Sequence, residues 1–149
     1  MDAIKVLLVS IHKVYPDLVV KSVNALANSG EFNDVLLIND ELIFRFPKSN
    51  TYVDDLGNEV QLLKYVKSYI SLPIPEPIYT SFTCNRFRKP FMGYRKIPGE
   101  SLTTKVLSAI TDDPTVQRLA DQLAAFLKEL HYTPIKNLGV GLPVHDGME

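Results

Sequence analysis

Two short β-rich runs separated by a polar turn constrain the fold of this chain more than any other feature. The runs are Val35–Ile38 and Leu42–Phe46, and the turn between them is Asn39-Asp40-Glu41. Apolar runs of this length, joined by so few polar residues, predict an antiparallel hairpin. Because proline cannot donate to a strand ladder, Pro47 ends the second run or marks the edge of a sheet.

The chain before this hairpin contains one predicted helix and one ambiguous segment. Apolar residues recur at helical spacing near the start, at Ile4, Leu7, Leu8 and Ile11. This spacing predicts a helix that begins at Asp2 and ends before Pro16. Residues 19–28 fit either a helix or an alternating strand, and their position just before a glycine turn favours a strand.

After the hairpin, the pattern predicts a loop, a helix and an extended connector. Residues 49–58 are polar with one glycine, which predicts a loop. A helical period follows, at Val60, Leu63, Val66 and Ile70. The proline-rich segment 72–77 can neither continue a helix nor form a regular ladder, so we expect it to be extended.

The second half of the chain changes from strands to helices. The segments 78–83 and 91–97 predict a strand pair across the basic turn 86–90, and Pro98-Gly99 ends the sheet pattern. Helices are predicted over Thr103–Ile110 and Thr115–His131, the latter with an apolar face. Residues 134–149 have no period and predict a loop. The predicted fold class is α+β, a small antiparallel sheet with an inserted helix, followed by further helices.

Composition and charge exclude several classes of function. With 149 residues and a net charge of −1, the chain has no bulk attraction for nucleic acid or an anionic membrane. Its one cysteine, Cys84, excludes an internal disulfide and a cysteine-rich metal site. The three histidines are too scattered to form a metal-ligand set, and residues 6–11 are too short to span a bilayer. We expect a cytoplasmic protein with no nucleic-acid partner, no membrane and no metal site of its own.

A few residues around the hairpin could bind an anion. The turn around Gly30 could present backbone N–H groups to a phosphate, although a single glycine is weak evidence. Arg45 lies among apolar neighbours, where an unpaired guanidinium is costly, so it needs a phosphate or a carboxylate. Lys48 is on the opposite side of the strand and is either a second candidate or a surface charge. Glu59 is either an acid of the first helical turn, favoured by the helix dipole, or the partner of one of these cations.

Six segments, taken in order, resemble the amino-terminal lobe of aminoglycoside phosphotransferases and related small-molecule kinases, which share the protein-kinase-like fold. They are Gly-Glu-Phe-Asn-Asp-Val at 30–35, Ile-Phe-Arg-Phe-Pro-Lys at 43–48, Asn-Glu-Val-Gln-Leu-Leu at 58–63, Pro-Ile-Pro-Glu-Pro at 73–77, Tyr-Arg-Lys-Ile-Pro-Gly-Glu-Ser-Leu at 94–102 and Leu-Ala-Asp-Gln-Leu-Ala-Ala-Phe-Leu-Lys-Glu-Leu-His at 119–131. The resemblance covers roughly residues 15–132, and the order and spacing of the segments carry it.

The resemblance implies a domain layout and a nucleotide site. It implies a kinase-like N-terminal lobe over residues 1–93, a hinge over 94–99 and the first part of a helical C-lobe over 100–149. In such kinases a strand cation pairs with a helix glutamate and binds the nucleotide phosphates, which suggests Arg45 with Glu59. Lysine is more usual at that strand position, so Lys48 is the fallback. The hinge would bind adenine through the Arg95 carbonyl and the Ile97 N–H, with Tyr94 at the back of the pocket.

The resemblance also implies that part of the machinery is missing. A kinase catalytic loop has an Asp base followed five residues later by Asn, and then a metal-binding Asp. His145-Asp146 is the nearest candidate, so no catalytic residue is assigned and this chain alone is expected to be inactive. The full-length parent would use ATP or GTP with Mg²⁺ to phosphorylate a small polar hydroxylated substrate. The alternative is a non-catalytic nucleotide- or partner-binding module left from a degraded kinase. Independently of this choice, the apolar face of the 115–131 helix, which the second lobe would cover, predicts self-association or poor solubility.

Overall fold

The computed structural model describes residues 3–26, 32–85 and 88–138. Within these ranges, five antiparallel strands form one sheet in the order β1-β2-β3-β5-β4. The strands are β1 Val23–Ala25, β2 Asn33–Ile38, β3 Leu42–Pro47, β4 Tyr79–Ser81 and β5 Phe91–Arg95. The helices are α1 Ala3–Val14, α2 Val53–Val66, α3 Thr104–Ala109 and α4 Asp113–Tyr132, and short 3-10 turns occupy Asn50–Tyr52 and Ile135–Asn137. The predicted α+β class is confirmed.

The predicted hairpin is present and lies at the centre of the sheet. Ile38 of β2 pairs with Leu42 of β3, and Asn39 and Asp40 take positive φ angles of 55° and 58°. Asn and Asp tolerate this backbone conformation better than most residues, which explains why they occupy the turn. The Asn39 side chain also accepts hydrogen bonds from the backbone N–H groups of Lys21 and Ser22. The turn therefore anchors the segment that leads into β1.

Alternation along the strands gives the sheet two different faces. One face packs on α1, through a core cluster that contains Leu7, Ile11, Leu36, Ile38, Leu42, Phe44, Phe46 and Phe91. The other face packs on α2, where Leu56 and Val60 contact Met92. Because side chains on a strand alternate between faces, Arg45, which lies between the buried Phe44 and Phe46 of β3, points towards α2. This arrangement decides which charged residues can meet α2.

A close approach inside the sheet requires glycine at position 93. Gly93 of β5 pairs with Phe44 of β3, and the Phe44 ring lies over it. A Cβ atom at position 93 would lie 2.6 Å from Cε1 of that ring. Phe44 is fully buried against Tyr79 and Phe91, so the ring has little room to move. Glycine at 93 thus allows the aromatic core beneath the sheet to close.

Several predicted boundaries differ from those in the structure. The loop predicted over residues 49–58 is wrong, because α2 already begins at Val53. Gly57 and the polar residues of this stretch predict a loop. In the structure the polar residues lie on the solvent-exposed side of α2, while Leu56 and Val60 are buried on the side that faces the sheet. The strand predicted within 19–28 is confirmed as β1. The later strand pair is also confirmed, although β4 and β5 are shorter than predicted.

The two C-terminal helices are capped but weakly buried. Thr103 caps α3 by accepting from the N–H of Val106, and Asp112 caps α4 by accepting from the N–H of Thr115. Neither helix contains a fully buried residue, and large apolar side chains on α4 are exposed, including Leu123 and Leu127. In the part of the chain that is described, no helix is long and apolar enough to cross a membrane.

Candidate functional site: the Arg45–Glu59 pair and its cavity

Arg45 reaches the α2 face of the sheet because of its place in β3. Its neighbours Phe44 and Phe46 are fully buried on the α1 face, and alternation directs Arg45 to the other side. It pairs in register with Val35 of β2 and Met92 of β5, so strands hold it on both sides. The guanidinium is therefore fixed at the middle of the sheet, facing α2.

Glu59 of α2 is the carboxylate that meets this cation. Nη1 of Arg45 donates to Oε1 of Glu59 at 2.5 Å, and the two side chains are 24% and 36% exposed. The contact predicted between these two residues is confirmed. The alternative interpretation, in which Glu59 lies in the first helical turn and interacts with the helix dipole, is wrong because the helix begins six residues earlier.

A cavity of about 250 Å³ opens beside the ion pair. Its lining combines the pair with aromatic and acidic side chains: Phe32, Asn33, Arg45, Tyr52, Asp55, Leu56 and Glu59. The rings of Phe32 and Tyr52 meet edge to face with their centroids 5.2 Å apart. A half-buried guanidinium held by a carboxylate, with open space beside it, can bind a small anionic group.

Tyr52, Asp55 and Leu56 line the cavity but lie within residues 49–58, which the sequence predicts to be a loop. The sequence therefore does not assign them to the site. Tyr52 precedes α2, and Asp55 lies in its first turn, one helical turn before Glu59. The signal that could have located them is the apolar spacing of Val53, Leu56, Val60 and Leu63, which extends the helical period backwards. The two aspartates at 54 and 55 are also typical of a helix start.

Tyr94 interacts electrostatically with both members of the ion pair, and its predicted place at the back of a nucleotide pocket stays a prediction. It belongs to β5 and packs on the cluster formed by Leu56, Val60 and Met92. Burial raises the pKa of its hydroxyl, while the charge of Arg45 lowers this pKa and that of Glu59 raises it by smaller amounts. The raised pKa keeps the hydroxyl neutral near pH 7, as a donor or acceptor of hydrogen bonds.

Lys48, the fallback cation, does not line this cavity in the structure. Lys48 is exposed just after β3, and its backbone N–H donates to the carbonyl of Phe32 at 3.0 Å. It is not among the residues that line the cavity beside the ion pair. Gly30 lies outside the described residues.

The predicted hinge residues line a second and larger cavity. Arg95 and Ile97 border a space of about 500 Å³ together with the proline-rich connector, including Pro73 and Ile74. The Arg95 side chain is exposed and lies 3.6 Å from Glu41. The backbone N–H of Lys96 donates to the carbonyl of Glu41 at 2.7 Å, which fixes the segment after β5 against the hairpin turn.

The described residues show no cluster of protein side chains suited to binding a metal ion. Between residues 3 and 138, with the gaps stated above, no group of three or more His, Cys, Asp or Glu side chains could hold one. Asp55 and Glu59 line the cavity, but Glu59 is engaged by Arg45. The charged groups of this cavity are therefore the Arg45 guanidinium, the Glu59 carboxylate bound to it and the Asp55 carboxylate.

A comparison with known protein families decides the classification. The family model described as APH, phosphotransferase enzyme family, matches residues 24–142, which is most of the chain. The chain belongs to the APH phosphotransferase family. Residues 24–142 include both members of the ion pair and both cavity linings. No curated protein sequence matches the chain.

Solved structures of aminoglycoside phosphotransferases agree with this family assignment. The GDP complex of wild-type aminoglycoside 2′-phosphotransferase-IIIa is 34% identical, with a TM-score of 0.81 over 92% of this chain and 45% of its own. The GDP and kanamycin complex of APH(2″)-IIIa is 35% identical, with a TM-score of 0.76 over 87% and 42%. The streptomycin–ATP–APH(2″)-IIa ternary complex supports the fold alone. It is 24% identical, with a TM-score of 0.72 over 91% of this chain and 42% of its own. This APH-family chain spans less than half the length of each.

Proposed function

We propose that this chain forms the nucleotide-binding part of an aminoglycoside phosphotransferase-like kinase. The single observation that carries the proposal is the 2.5 Å contact between Arg45 and Glu59 beside an open cavity. A guanidinium fixed in this way can bind the oxygens of a nucleotide phosphate with two parallel hydrogen bonds. Solved relatives at about 35% identity are described as GDP complexes, which supports a purine nucleotide as the ligand.

Glu59 would act by holding the guanidinium in the orientation that the phosphate needs. The planar fork of arginine binds best when its plane is fixed before the ligand arrives, because less freedom is then lost on binding. Glu59 provides this restraint from α2, and the β3 backbone provides it from the sheet. The turn around Gly30 would add backbone N–H groups to the same phosphates, as the resemblance implies.

The cavity beside the segment after β5 would take the base of the nucleotide. Five of its eight lining residues are prolines and isoleucines, which suit the flat faces of a purine, and the other three are Glu76, Arg95 and Lys96. The Arg95 carbonyl and the Ile97 N–H would bond the base edge, with Tyr94 at the inner end. Both ATP and GTP fit this proposal, and Mg²⁺ would be bound through the phosphates themselves.

In the complete enzyme, the nucleotide γ-phosphate would pass to a hydroxyl of a small polar molecule such as an aminoglycoside. Kanamycin occupies one of the relatives together with GDP, which supports this class of acceptor. Transfer depends on positioning and charge neutralisation, and it needs an Asp base and metal-binding groups that we do not assign to this chain. On this proposal the chain alone binds nucleotide without transferring phosphate.

Calorimetric titration of Mg-ATP and Mg-GTP tests the proposal. We expect heat of binding with at least one nucleotide, a loss of about tenfold in affinity in Arg45→Ala, and no phosphorylated kanamycin when that acceptor is added. Absence of heat with both nucleotides would overturn nucleotide recognition. Formation of phosphorylated kanamycin would show that the chain holds a catalytic group after all. Binding without transfer also fits a non-catalytic nucleotide-binding module, which the chain's partial coverage of its relatives leaves as a second candidate.

A further inference from the structure

The carboxyl end of α2 is attached to α4 by side chains that the nucleotide site does not use. Glu129 of α4 accepts two hydrogen bonds through Oε2, from the backbone N–H of Ser71 at 2.8 Å and from its hydroxyl at 3.1 Å. The hydroxyl of Tyr65, on α2 itself, donates to the carbonyl of Pro134 just after α4. These contacts join two elements that are far apart in sequence.

Ser71 is tied closely to the last turn of α2. The N–H groups of Tyr69 and Ile70 both donate to the carbonyl of Val66, at 2.9 and 3.1 Å. Ser71 follows directly, so a displacement of Ser71 is transmitted to the helix end. On the other side, the Thr133 hydroxyl donates to the carbonyl of Glu129 at 2.9 Å, and Thr133 is buried. Both ends of the contact are therefore held by further hydrogen bonds.

Glu59 and Tyr65 lie on α2, whereas Ser71 follows the end of this helix at Val66. Glu59 is six residues before Tyr65, which corresponds to about 9 Å along a rigid helix. The Arg45–Glu59 contact depends on the position of α2, because Arg45 is fixed by the sheet and Glu59 moves with the helix. A shift of α2 by about 1 Å would lengthen a 2.5 Å contact beyond an ordinary hydrogen bond.

We propose that Glu129 is a positioning residue that holds α2 through Ser71 and thereby aligns Glu59 with Arg45. It touches neither member of the ion pair and acts only through the helix. The two hydrogen bonds from Ser71 lower the pKa of its carboxyl, in agreement with its role as a charged acceptor. The functional meaning of the inference rests on the proposed nucleotide site, but the mechanical coupling can be measured without nucleotide.

A double-mutant cycle on the unfolding equilibrium tests this coupling. Glu129→Ala is expected to lower the folding equilibrium constant about fivefold in the wild-type background and about threefold or less in Glu59→Ala, because the bonds from Ser71 are lost in both backgrounds but the contact to be aligned exists only in the first. The matched control is Asp121→Ala, which removes an α4 carboxylate whose described bond, to Gln117, stays within the helix. Its effect should be the same in both backgrounds. Equal effects of Glu129→Ala in both backgrounds would overturn the proposal.

Rescue by a conservative variant separates positioning from charge. Glu129→Gln keeps a side-chain oxygen that can accept from Ser71, so this variant should retain the side-chain NMR resonances of Arg45 seen in the wild type, whereas Glu129→Ala should shift them. Unchanged Arg45 resonances in Glu129→Ala would contradict the proposal. If the wild type binds Mg-GTP, its affinity should fall about fivefold in Glu129→Ala and by less than about twofold in Glu129→Gln. If the wild type binds no nucleotide, the proposed function fails, and the cycle and the resonances still decide the coupling.

Discussion

At the scale of single residues, strand alternation decides which cation can serve the site. Arg45 lies within β3 and lines the cavity beside Glu59, whereas Lys48 follows the end of the strand and is not among the lining residues. The sequence favoured Arg45 because its apolar neighbours make an unpaired charge costly, and the structure supplies the carboxylate that this argument required. The role of both residues towards a phosphate stays a prediction.

Gly93 gives a residue-scale prediction about the core. Gly93→Ala should destabilise the fold by about 1–3 kcal/mol, because its Cβ would overlap the buried Phe44 ring. The matched control is Gly57→Ala in α2. Its new methyl group would lie 3.9 Å from the Phe82 ring, and alanine is a better helix former than glycine. That substitution should stabilise the protein by up to about 1 kcal/mol. Urea unfolding measures the free energy of unfolding of both variants. A change of the same sign in Gly93→Ala and Gly57→Ala would contradict this account.

Ile11 gives a second prediction, about the packing of α1. Its side chain is fully buried against the sheet. Ile11→Ala should therefore lower the free energy of unfolding by about 3 kcal/mol, because apolar burial is lost and a cavity is left. Val9→Ala on the exposed side of the same helix, where Val9 is 47% exposed, should change stability by no more than about 0.5 kcal/mol. A similar cost for both variants, measured by denaturant unfolding, would show that α1 is not part of the core.

At the scale of elements, the sequence predicted helices and strands well where their apolar period was uninterrupted. The hairpin, α1 and α4 follow directly from spacing and turn residues. The start of α2 was missed because Gly57 and the surrounding polar residues hide a period that begins at Val53. For the same reason the sequence does not predict that Tyr52 and Asp55 line the cavity. Cavities form between elements, and a local sequence pattern does not show which elements pack together.

The cap of α4 makes an element-scale prediction about pH. Hydrogen bonds from Thr115 lower the pKa of the Asp112 carboxyl below its ordinary value of 3.8. A group whose pKa is lower in the folded state stabilises the fold above its unfolded pKa, and this contribution is lost as the pH falls through the folded value. Wild type should therefore lose more stability than Asp112→Asn between pH 5 and the acid limit of folding, as measured by urea midpoints. A constant difference between the two proteins across this range would contradict the assignment.

At the scale of the whole molecule, one side of α4 presents an uncovered apolar surface. Val116, Leu123, Leu127 and Leu130 are each at least 39% exposed and lie along one helix. The boundaries of the two lobes and the hinge, and the cytoplasmic location, stay predictions. The family assignment and the fold do not depend on them.

This apolar side of α4 predicts self-association. We expect sedimentation velocity to show a concentration-dependent increase in mass, since an apolar surface of this kind favours contact between copies. Leu123→Glu should weaken the association about tenfold, whereas Gln117→Glu, on the polar side of the helix, should leave it unchanged. A clean monomer for the wild type at high concentration would contradict the prediction.

The most direct test of the central claim compares the two cations in one binding measurement. The dissociation constant for Mg-GTP is measured by calorimetry for the wild type, Arg45→Ala and Lys48→Ala, with the folded state of each variant checked by its unfolding midpoint. We predict a loss of about tenfold or more in affinity for Arg45→Ala and of less than about twofold for Lys48→Ala. Equal losses, or a larger loss for Lys48→Ala, would contradict the claim that the Arg45–Glu59 pair binds the nucleotide phosphates.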